Sequence, residues 1–408
     1  MSQTIIIMHR WNNSFMQFQN VIDHAANRVI YFVNPDGKKG IESYIDQASR
    51  VFEFTTMTDI EELRAACREV IDQYGGIDRL IAMSELDLTP AAILRTEFGI
   101  VGTQEHQVKM YRDKVEMKKR MERDGIRAPK FIDCETPDDV IAFSKEIGFP
   151  LILKPKSGAS SHGVHQINTE AELHAVLPKI DFSDYECEEF VAGPIFHTDG
   201  VTHNGEIVFL SVSRYFNDCL GFLSGNPVGS IIEDDPAIRE QLGEFTKRVL
   251  KSLELENSAF HLEIIMKNGN EPVFLEIGAR LSGGEFAFQT QDVYGVHIGE
   301  EWLKIELGLF DGIKVEQRHP CGGYVLIPEP RDTPVEVIRN KSLINEVDGM
   351  IKEILAQPGD VLDGNGGYVK ISGRFMFRGE SRAQIEDAFR KTIDLFDMEY
   401  KPLSSVKA

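Results

Sequence analysis

The sequence predicts an α/β fold, with a parallel sheet first and mixed α+β regions after it. Over the first hundred residues, short apolar runs alternate with amphipathic helical patterns, and this alternation is typical of a parallel sheet. Further along, a loop rich in glycine and serine joins two strand-like runs, and a strongly apolar hairpin contains two glutamates. The fold class rests on the alternation, and the predicted chemistry rests on the loop and the hairpin.

Residues 1–106 are predicted to form an α/β domain. Asn34–Gly37 is a strong turn signal after the second strand, and Gly75 ends the first long helix. Glu85 and Asp87 follow the third strand, at the sheet edge where parallel sheets bind ligands, although such acids also cap helices. The predicted strands are Ile5–Met8, Arg28–Val33 and Ile77–Met83, and the predicted helices are residues 59–74 and a helix through Ala91–Arg95.

Three further regions are predicted at residues 107–190, 191–310 and 311–408. The first is an α+β region that opens with a highly charged helix over residues 107–127. The second alternates hairpins and helices, and the third ends in a helix near Arg382–Phe396. In the first of these regions the strands are predicted at Lys130–Asp133, Leu151–Lys154 and Val164–Ile167, and the helices at Pro137–Ile147 and from Thr169 onward.

The composition limits the class of partner. The chain has 408 residues, with 44 Lys and Arg against 65 Asp and Glu, and a formal net charge of -21. A general nucleic-acid binder needs a basic face for phosphates, and an anionic membrane surface would repel this charge. The cysteines include no CxxC pair, and the apolar run Ile5–Met8 is too short for a signal peptide. We therefore expect a cytoplasmic protein with reduced thiols and no nucleic-acid or membrane partner.

The loop Ser157–Val164 is the first motif with predicted chemistry. Its small residues let successive backbone N–H groups converge on phosphate oxygens, and Lys154 and Lys156 supply positive charge. Val164 stands where a Walker A loop has lysine, and a strand follows instead of a helix. These features predict a hairpin loop that covers phosphates, and a purely structural glycine turn is the alternative.

The segment Phe260–Ile277 predicts a β-hairpin around Asn268–Asn270. With a two-residue loop, either register places Glu263 and Glu276 on one face of the hairpin, whereas a three-residue loop would break this arrangement. Opposed carboxylates repel each other unless a cation lies between them, and Mg²⁺ commonly binds one or two carboxylates together with substrate phosphates. We predict a metal site at this pair, with two solvated acids as the alternative.

Arg280 follows the second glutamate by four residues and precedes the Gly283-Gly284 turn. A guanidinium group binds phosphate through two parallel hydrogen bonds and can neutralise a phosphoryl group during transfer. An ion pair with a neighbouring acid is the alternative role for this arginine.

These motifs, taken in order, resemble those of the ATP-grasp superfamily, and within it the carboxylate–amine ligases that include the L-amino acid ligases. The resemblance implies an ATP-grasp fold that clasps ATP with Mg²⁺ or Mn²⁺. Residues 1–106 would then be a pre-ATP-grasp domain, 107–190 the lid subdomain, 191–310 the catalytic subdomain and 311–408 a C-terminal α+β extension. The matching segments are Tyr111–Lys114, Phe149–Pro155, Ser157–Val164, Cys187–Gly193, Phe196–Gly200, His261–Glu263 and Glu276–Arg280.

The resemblance also implies roles for individual residues. Arg280 and Lys154 would act in catalysis. His261, or one of the acids Glu85, Asp199 and Glu285, is a candidate base for the attacking amine. The nucleotide would be bound by Lys114, Lys154, Lys156, Ser157, Gly158, Ser160, Ser161, Gly163, Glu188, Phe190 and Val191. Candidate substrate residues are Glu85, His197, Asp199, Arg214, Gly283 and Gly284, with Glu285 as a further acid for an ammonium group.

The resemblance implies a ligase reaction. A substrate carboxylate would take the γ-phosphate of ATP, and an amine would then displace phosphate to form an amide or dipeptide, as in an L-amino acid ligase. We expect small-molecule carboxylate and amine substrates, with a homodimer as a candidate assembly. The alternatives are an enzyme that loads an amino acid onto a carrier protein in natural-product biosynthesis, a purine-pathway or biotin-dependent carboxylase, and a non-catalytic nucleotide sensor. The complete set of Glu263, Glu276 and Arg280 argues against the sensor.

Overall fold

The computed structural model describes residues 2–12, 16–158, 162–364, 367–368 and 370–403. Within these ranges the strands form sheets of four, four, eight and three strands. All five cysteines are unpaired, as predicted. The described helices include none that is both long and apolar enough to span a membrane.

The elements are numbered in chain order. The strands are β1 (Thr4–His9), β2 (Arg28–Val33), β3 (Arg50–Glu53), β4 (Arg79–Ala82), β5 (Phe131–Asp133), β6 (Leu151–Pro155), β7 (His165–Ile167), β8 (Tyr185–Glu189), β9 (Ile195–His203), β10 (Glu206–Phe216), β11 (Val228–Ile232), β12 (Ser258–Lys267), β13 (Glu271–Gly278), β14 (Cys321–Ile327), β15 (Val335–Asn340), β16 (Met350–Leu355), β17 (Val361–Leu362), β18 (Gly373–Gly379) and β19 (Met398–Pro402). The helices are α1 (Pro35–Ile41), α2 (Ile60–Tyr74), α3 (Leu88–Phe98), α4 (Glu105–Val108), α5 (Lys114–Arg123), α6 (Pro137–Ile147), α7 (Glu170–Val176), α8 (Cys219–Leu223), α9 (Pro236–Ser252), α10 (Phe286–Tyr294), α11 (Ile298–Leu307) and α12 (Arg382–Leu395).

The N-terminal sheet is parallel, as the strand–helix alternation predicted, with the order β3-β2-β1-β4. The predicted turn at Asn34–Gly37 is wrong, because these residues begin helix α1. The Asn34 side chain accepts a hydrogen bond from the backbone N–H of Gly37, and Pro35 occupies the first helical turn. Asparagine and proline are favoured at these two positions of a helix as well as in turns, so the local signal fits both structures.

The predicted single helix over residues 107–127 is also wrong. Two helices, α4 and α5, occupy this region, separated by a 3₁₀ turn over Lys109–Tyr111. Asp113 interrupts the helical pattern because it is the N-cap of α5 and its backbone is extended. Its carboxylate accepts hydrogen bonds from the N–H groups of Val115 at 2.9 Å and Glu116 at 3.2 Å. The break places Lys114 in the first turn of α5.

The next sheet has the order β5-β8-β6-β7 and is antiparallel. The strands and helices predicted for residues 130–176 are confirmed to within one or two residues at their ends. A separate core under α6 and α7 holds this unit together, with Leu151, Leu153 and Cys187 fully buried in it.

The largest sheet has the order β13-β12-β9-β10-β11-β14-β18-β16. Helix α9 packs on one face through Phe245 and Val249, and α10 and α11 pack on the other through Phe286 and Trp302. The sheet takes strands from both 191–310 and 311–408, so these two regions share one sheet, and the limits of the four regions stay a prediction.

In the hairpin of β12 and β13, Glu263 pairs with Glu276 as predicted, but the loop length and the register differ from the prediction. Lys267 pairs with Glu271, so the loop has three residues, which alone would break the alignment of the two glutamates. The register shifts between Glu263 and Ile264, because β13 contains one extra residue there. This bulge restores the direct pairing of Glu263 with Glu276.

We predict that Asp113→Ala lowers the free energy of unfolding by about 1 kcal/mol, because two N–H groups of α5 lose their acceptor. Asp113→Ser should retain most of the stability, since a hydroxyl group also caps a helix. Denaturant unfolding followed by circular dichroism measures both variants. Equal stability of Asp113→Ala and the parent chain would show that the cap does not stabilise α5.

Candidate active site

The two hairpin glutamates lie opposite each other and near the end of β13. Glu276 contacts Lys114 of α5, with 3.1 Å between Oε2 and Nζ. Burial alone would raise the pKa of Glu276, but the charges of Lys114 and Lys154 lower it to about 2. Glu276 is therefore ionised at neutral pH, in a site that two lysines make electropositive.

Glu263 has a different set of neighbours. Its Oε1 accepts a hydrogen bond from the Tyr215 hydroxyl at 2.9 Å and lies 3.4 Å from Nε2 of His261. On the next strand, β9, its direct partner is His197. Side chains two residues apart on a strand share a face, so Glu263 and His261 face the same side of the sheet.

Asp199 is buried between the two predicted histidines. Its Oδ1 lies 2.8 Å from Nδ1 of His261, and its Oδ2 contacts Nδ1 of His197, whose Nε2 lies 2.7 Å from the Ser230 hydroxyl. Burial lowers the pKa of His261, but Asp199 outweighs it and raises the value to about 9. His261 therefore holds a proton at neutral pH, and it would have to lose this proton before it could act as the predicted base.

The carboxylate pair fits a hard divalent cation. Among contacts between described residues, Oε2 of Glu263 and Oε1 of Glu276 accept no hydrogen bond and form no ion pair. One oxygen of each opposed carboxylate is thus available to a shared ligand, and carboxylate oxygen is the donor that Mg²⁺ prefers.

Arg280 lies against Glu85, at the end of the N-terminal sheet. Its Nε donates to one oxygen of Glu85, while Nη1 of Arg112 donates to the other. Arg112 also donates to the backbone oxygen of Ser157 at 2.9 Å. Burial alone would raise the pKa of Glu85, but the two arginines lower it. One carboxylate therefore connects the N-terminal domain, the start of the glycine loop and the hairpin.

A second group of charged side chains lies between α5 and the sheet β5-β8-β6-β7. Lys154 contacts Glu188, with 2.7 Å between Nζ and Oε1. Lys118, one turn after Lys114 on α5, contacts both Glu186 and Glu188. Neither Lys118 nor Glu186 was predicted from the sequence as a site residue. The available signals were the four-residue spacing of the lysines on a helix and the two-residue spacing of the glutamates on a strand.

The remaining residues predicted to bind the nucleotide differ in their contacts and in their exposure. Lys156 forms an ion pair with Asp133 at 2.5 Å, and the Gly158 carbonyl accepts from Nζ of Lys114 at 2.9 Å. Phe190 is 39% exposed, whereas Val191 is buried. Gly163 has a φ of +74° beside Pro155 and the Tyr185 hydroxyl, where a side chain would be strained. Ser160 and Ser161 lie outside the described residues.

Arg214 is the predicted substrate residue that the structure places away from the others. It alternates along β10 with Ser213 and Tyr215, so it faces the opposite side of the sheet. Its guanidinium carbon lies 5.5 Å from the centre of the Phe196 ring, on the side of the sheet that α9 covers. The prediction of a substrate contact is not supported by this placement.

The Gly283-Gly284 turn packs against Tyr324 of β14. The Tyr324 hydroxyl donates to the Gly283 carbonyl at 3.4 Å, and a Cβ atom at Gly284 would lie 2.6 Å from that hydroxyl oxygen. Glu285, the next residue, is buried and accepts from Nη1 of Arg374 at 2.7 Å. An ammonium group of a substrate would therefore compete with Arg374 for this carboxylate.

Seven of the residues described above line one cleft, between α5, the start of the glycine loop and the end of the hairpin. Four segments that are far apart in sequence contribute to its wall. The lining residues that bear on its chemistry are Glu85, Arg112, Lys114, Gly158, His261, Glu276 and Arg280.

Comparison with known proteins agrees with this architecture. Residues 147–287 match the family model of the ATP-grasp domain. The chain is 24% identical to the L-arginine-specific L-amino acid ligase of Bacillus subtilis, over 78% of this chain and 79% of that protein. It is also 24% identical to the alanine–anticapsin ligase of Bacillus subtilis strain 168, over 87% and 76% of the two chains. The crystal structure of an L-amino acid ligase from Bacillus licheniformis superposes with a TM-score of 0.78 at 16% identity, over 98% of this chain and all of that one, which confirms the fold.

We predict that Glu85→Gln lowers the free energy of unfolding by about 2 kcal/mol at neutral pH, because two arginines lose their charged acceptor. The folded state lowers the pKa of Glu85, so this stabilisation is fully present above the ordinary carboxyl pKa and is lost as the pH falls from there through the lowered pKa of the folded state. The matched control is Glu53→Gln, which removes an exposed pair with Lys38 and should cost less than about 1 kcal/mol. Denaturant unfolding at several pH values measures the difference, and equal losses in both variants would contradict the prediction.

Proposed function

We propose that this chain, in which residues 147–287 are an ATP-grasp domain, is an ATP-dependent carboxylate–amine ligase of the L-amino acid ligase type. The observation that supports this function best is the pairing of Glu263 with Glu276 next to Lys114 and near Lys154. The two relatives named as ligases of amino acids extend over most of the chain and support the same conclusion.

The cleft is suited to holding two anions together. A substrate carboxylate and the γ-phosphate of ATP repel each other, and a reaction between them needs positive charge around both. Lys114 and Arg280 line the cleft, and the charge of Lys154 in β6 lowers the pKa of Glu276. Mg²⁺ held by Glu263 and Glu276 would neutralise further phosphate charge when it is bound. The role of the side chains is positioning and charge neutralisation.

The reaction would proceed in two steps. A carboxylate oxygen of the first substrate attacks the γ-phosphorus, the bond from phosphorus to the bridging oxygen breaks, and ADP leaves. The amine of the second substrate then attacks the acyl carbon, and phosphate leaves as the amide bond forms. The amine must release a proton, and Asp199 keeps the nearby His261 protonated. His261 therefore serves as a donor and a positive charge toward Glu263, and the departing phosphate is the better acceptor for the proton.

We expect the purified chain, given ATP, Mg²⁺ and pairs of free amino acids, to release ADP and phosphate and to form a dipeptide. Chromatography identifies the nucleotide product, and mass spectrometry identifies the dipeptide. AMP and pyrophosphate would contradict the acyl-phosphate route. Acylation of a carrier protein without any dipeptide would favour the carrier-loading alternative.

Glu276→Gln should reduce turnover by ~100-fold or more, because the variant loses the carboxylate that contacts Lys114 and would hold the cation. The matched control is Glu271→Gln on the same hairpin, whose side chain is half-exposed and 3.8 Å from Arg127; it should leave turnover unchanged. Removal of divalent ions with a chelator should stop the parent enzyme, and Mg²⁺ or Mn²⁺ should restore it. Full turnover of Glu276→Gln would contradict the metal assignment.

A further inference from the structure

Four ionisable side chains are buried together between helix α5 and the sheet β5-β8-β6-β7. They are two lysines, Lys118 of α5 and Lys154 of β6, and two glutamates, Glu186 and Glu188 of β8. None is more than 4% exposed. Burial of charge is costly unless each charge is paired, so the arrangement of these four groups needs an explanation beyond a surface ion pair.

The pairing within this buried cluster is unequal. Lys118 contacts both carboxylates, at 2.5 Å from Oε1 of Glu186 and in close contact with Oε2 of Glu188. Lys154 has one close contact, at 2.7 Å from Oε1 of Glu188, and lies 3.8 Å from Glu186. Glu188 thus uses one oxygen for each lysine. Glu188 therefore has two close cations, Lys118 and Lys154, whereas the one close cation of Glu186 among these contacts is Lys118.

The two lysines differ in what else they approach. Lys118 is fully enclosed, and its described ion pairs are both within the cluster. Lys154 retains an exposed fraction of 4% and lies in β6, the strand that leads directly into the glycine loop. Gly158 of that loop lines the cleft, so Lys154 is adjacent in the chain to the cleft wall, whereas the described ion pairs of Lys118 stay within the cluster.

A lysine that binds a nucleotide phosphate cannot keep its full contact with Glu188. If Lys154 turns to a phosphate, Glu188 needs another cation, because an unpaired buried carboxylate is strongly unfavourable. Lys118 already contacts the other oxygen of that carboxylate. The departure of Lys154 would leave Oε1 of Glu188 free to accept a hydrogen bond, for which an amino group of the nucleotide base is a suitable donor.

We propose that Lys118 is a positioning residue for nucleotide binding, the permanent counter-ion of Glu188 that allows Lys154 to exchange from Glu188 to a phosphate. This inference rests on the proposed function, because it requires the cleft to bind ATP. Lys118 does not touch the nucleotide in this scheme. It acts through Glu188, and its removal affects the affinity for the nucleotide.

The first test compares Lys118→Met with Lys119→Met. Methionine is close to lysine in length but uncharged, and Lys119 is an exposed neighbour on the same helix, paired with Glu116. Isothermal titration with ATP and Mg²⁺ should give a dissociation constant at least ~10-fold higher for Lys118→Met, and an unchanged one for Lys119→Met. Equal affinity in Lys118→Met and the parent chain would overturn the inference.

The second test separates positioning from simple stabilisation of the fold, and it also applies if Lys118→Met folds poorly. The double variant Lys118→Met/Glu186→Gln leaves one lysine and one carboxylate, Lys154 and Glu188, so the cluster is neutral again. Its thermal midpoint should recover toward that of the parent chain. Its affinity for ATP should stay low, because Lys154 is now the only counter-ion of Glu188. Recovery of both stability and affinity would overturn the inference.

ATP binding by the parent chain distinguishes a failure of this inference from a failure of the proposed function. If the parent binds no ATP in the same titration, the proposed function fails and this inference fails with it. If the parent binds ATP and forms a dipeptide while Lys118→Met binds equally well, only the role of Lys118 is wrong.

Discussion

The pairing of two carboxylates across one hairpin is the constraint around which the site is organised. Glu263 and Glu276 are direct neighbours on β12 and β13, and like charges in this position destabilise a sheet unless cations compensate them. Lys114 contacts Glu276 and Lys154 acts on it electrostatically, while Tyr215 donates to Glu263. The same positive charge that permits the pair to exist is what a phosphate needs, so stability and the proposed chemistry have a common cause.

Helix α5 connects this pair to the rest of the molecule. Lys114 and Lys118 are one turn apart on it, so they project from the same face, and each contacts a carboxylate of a different sheet. Asp113 is the N-cap of this helix, so Lys114 is its first residue and Lys118 lies one turn later. Glu85 makes a comparable connection from the N-terminal sheet, where it contacts Arg112 and Arg280. Ion pairs therefore connect segments of the chain that are distant in sequence, such as Glu85 and Arg280.

Local patterns predicted the elements well and their junctions less well. Strand β2 and helix α6 have their predicted ends, because apolar periodicity and capping residues agree there. The Asn34–Gly37 turn and the helix over residues 107–127 were wrong, because asparagine, proline and aspartate occur at helix starts as well as in turns. In the hairpin, the expected pairing of the glutamates is present, but it depends on a bulge that no feature of the sequence indicated.

The sequence alone determined the class of the fold, the glycine loop between two strands, and the presence of two glutamates on one hairpin with an arginine two residues after it. These features depend on residues close together in the chain, where periodicity and residue type are sufficient. Only the tertiary structure decided which charges meet. Glu85 accepts a hydrogen bond from Arg280, and Lys118 and Lys154 both contact Glu188. Arg214 faces the opposite side of the sheet from the site. Such contacts depend on the packing of whole sheets and helices, and a contact between residues 85 and 280 has no local pattern.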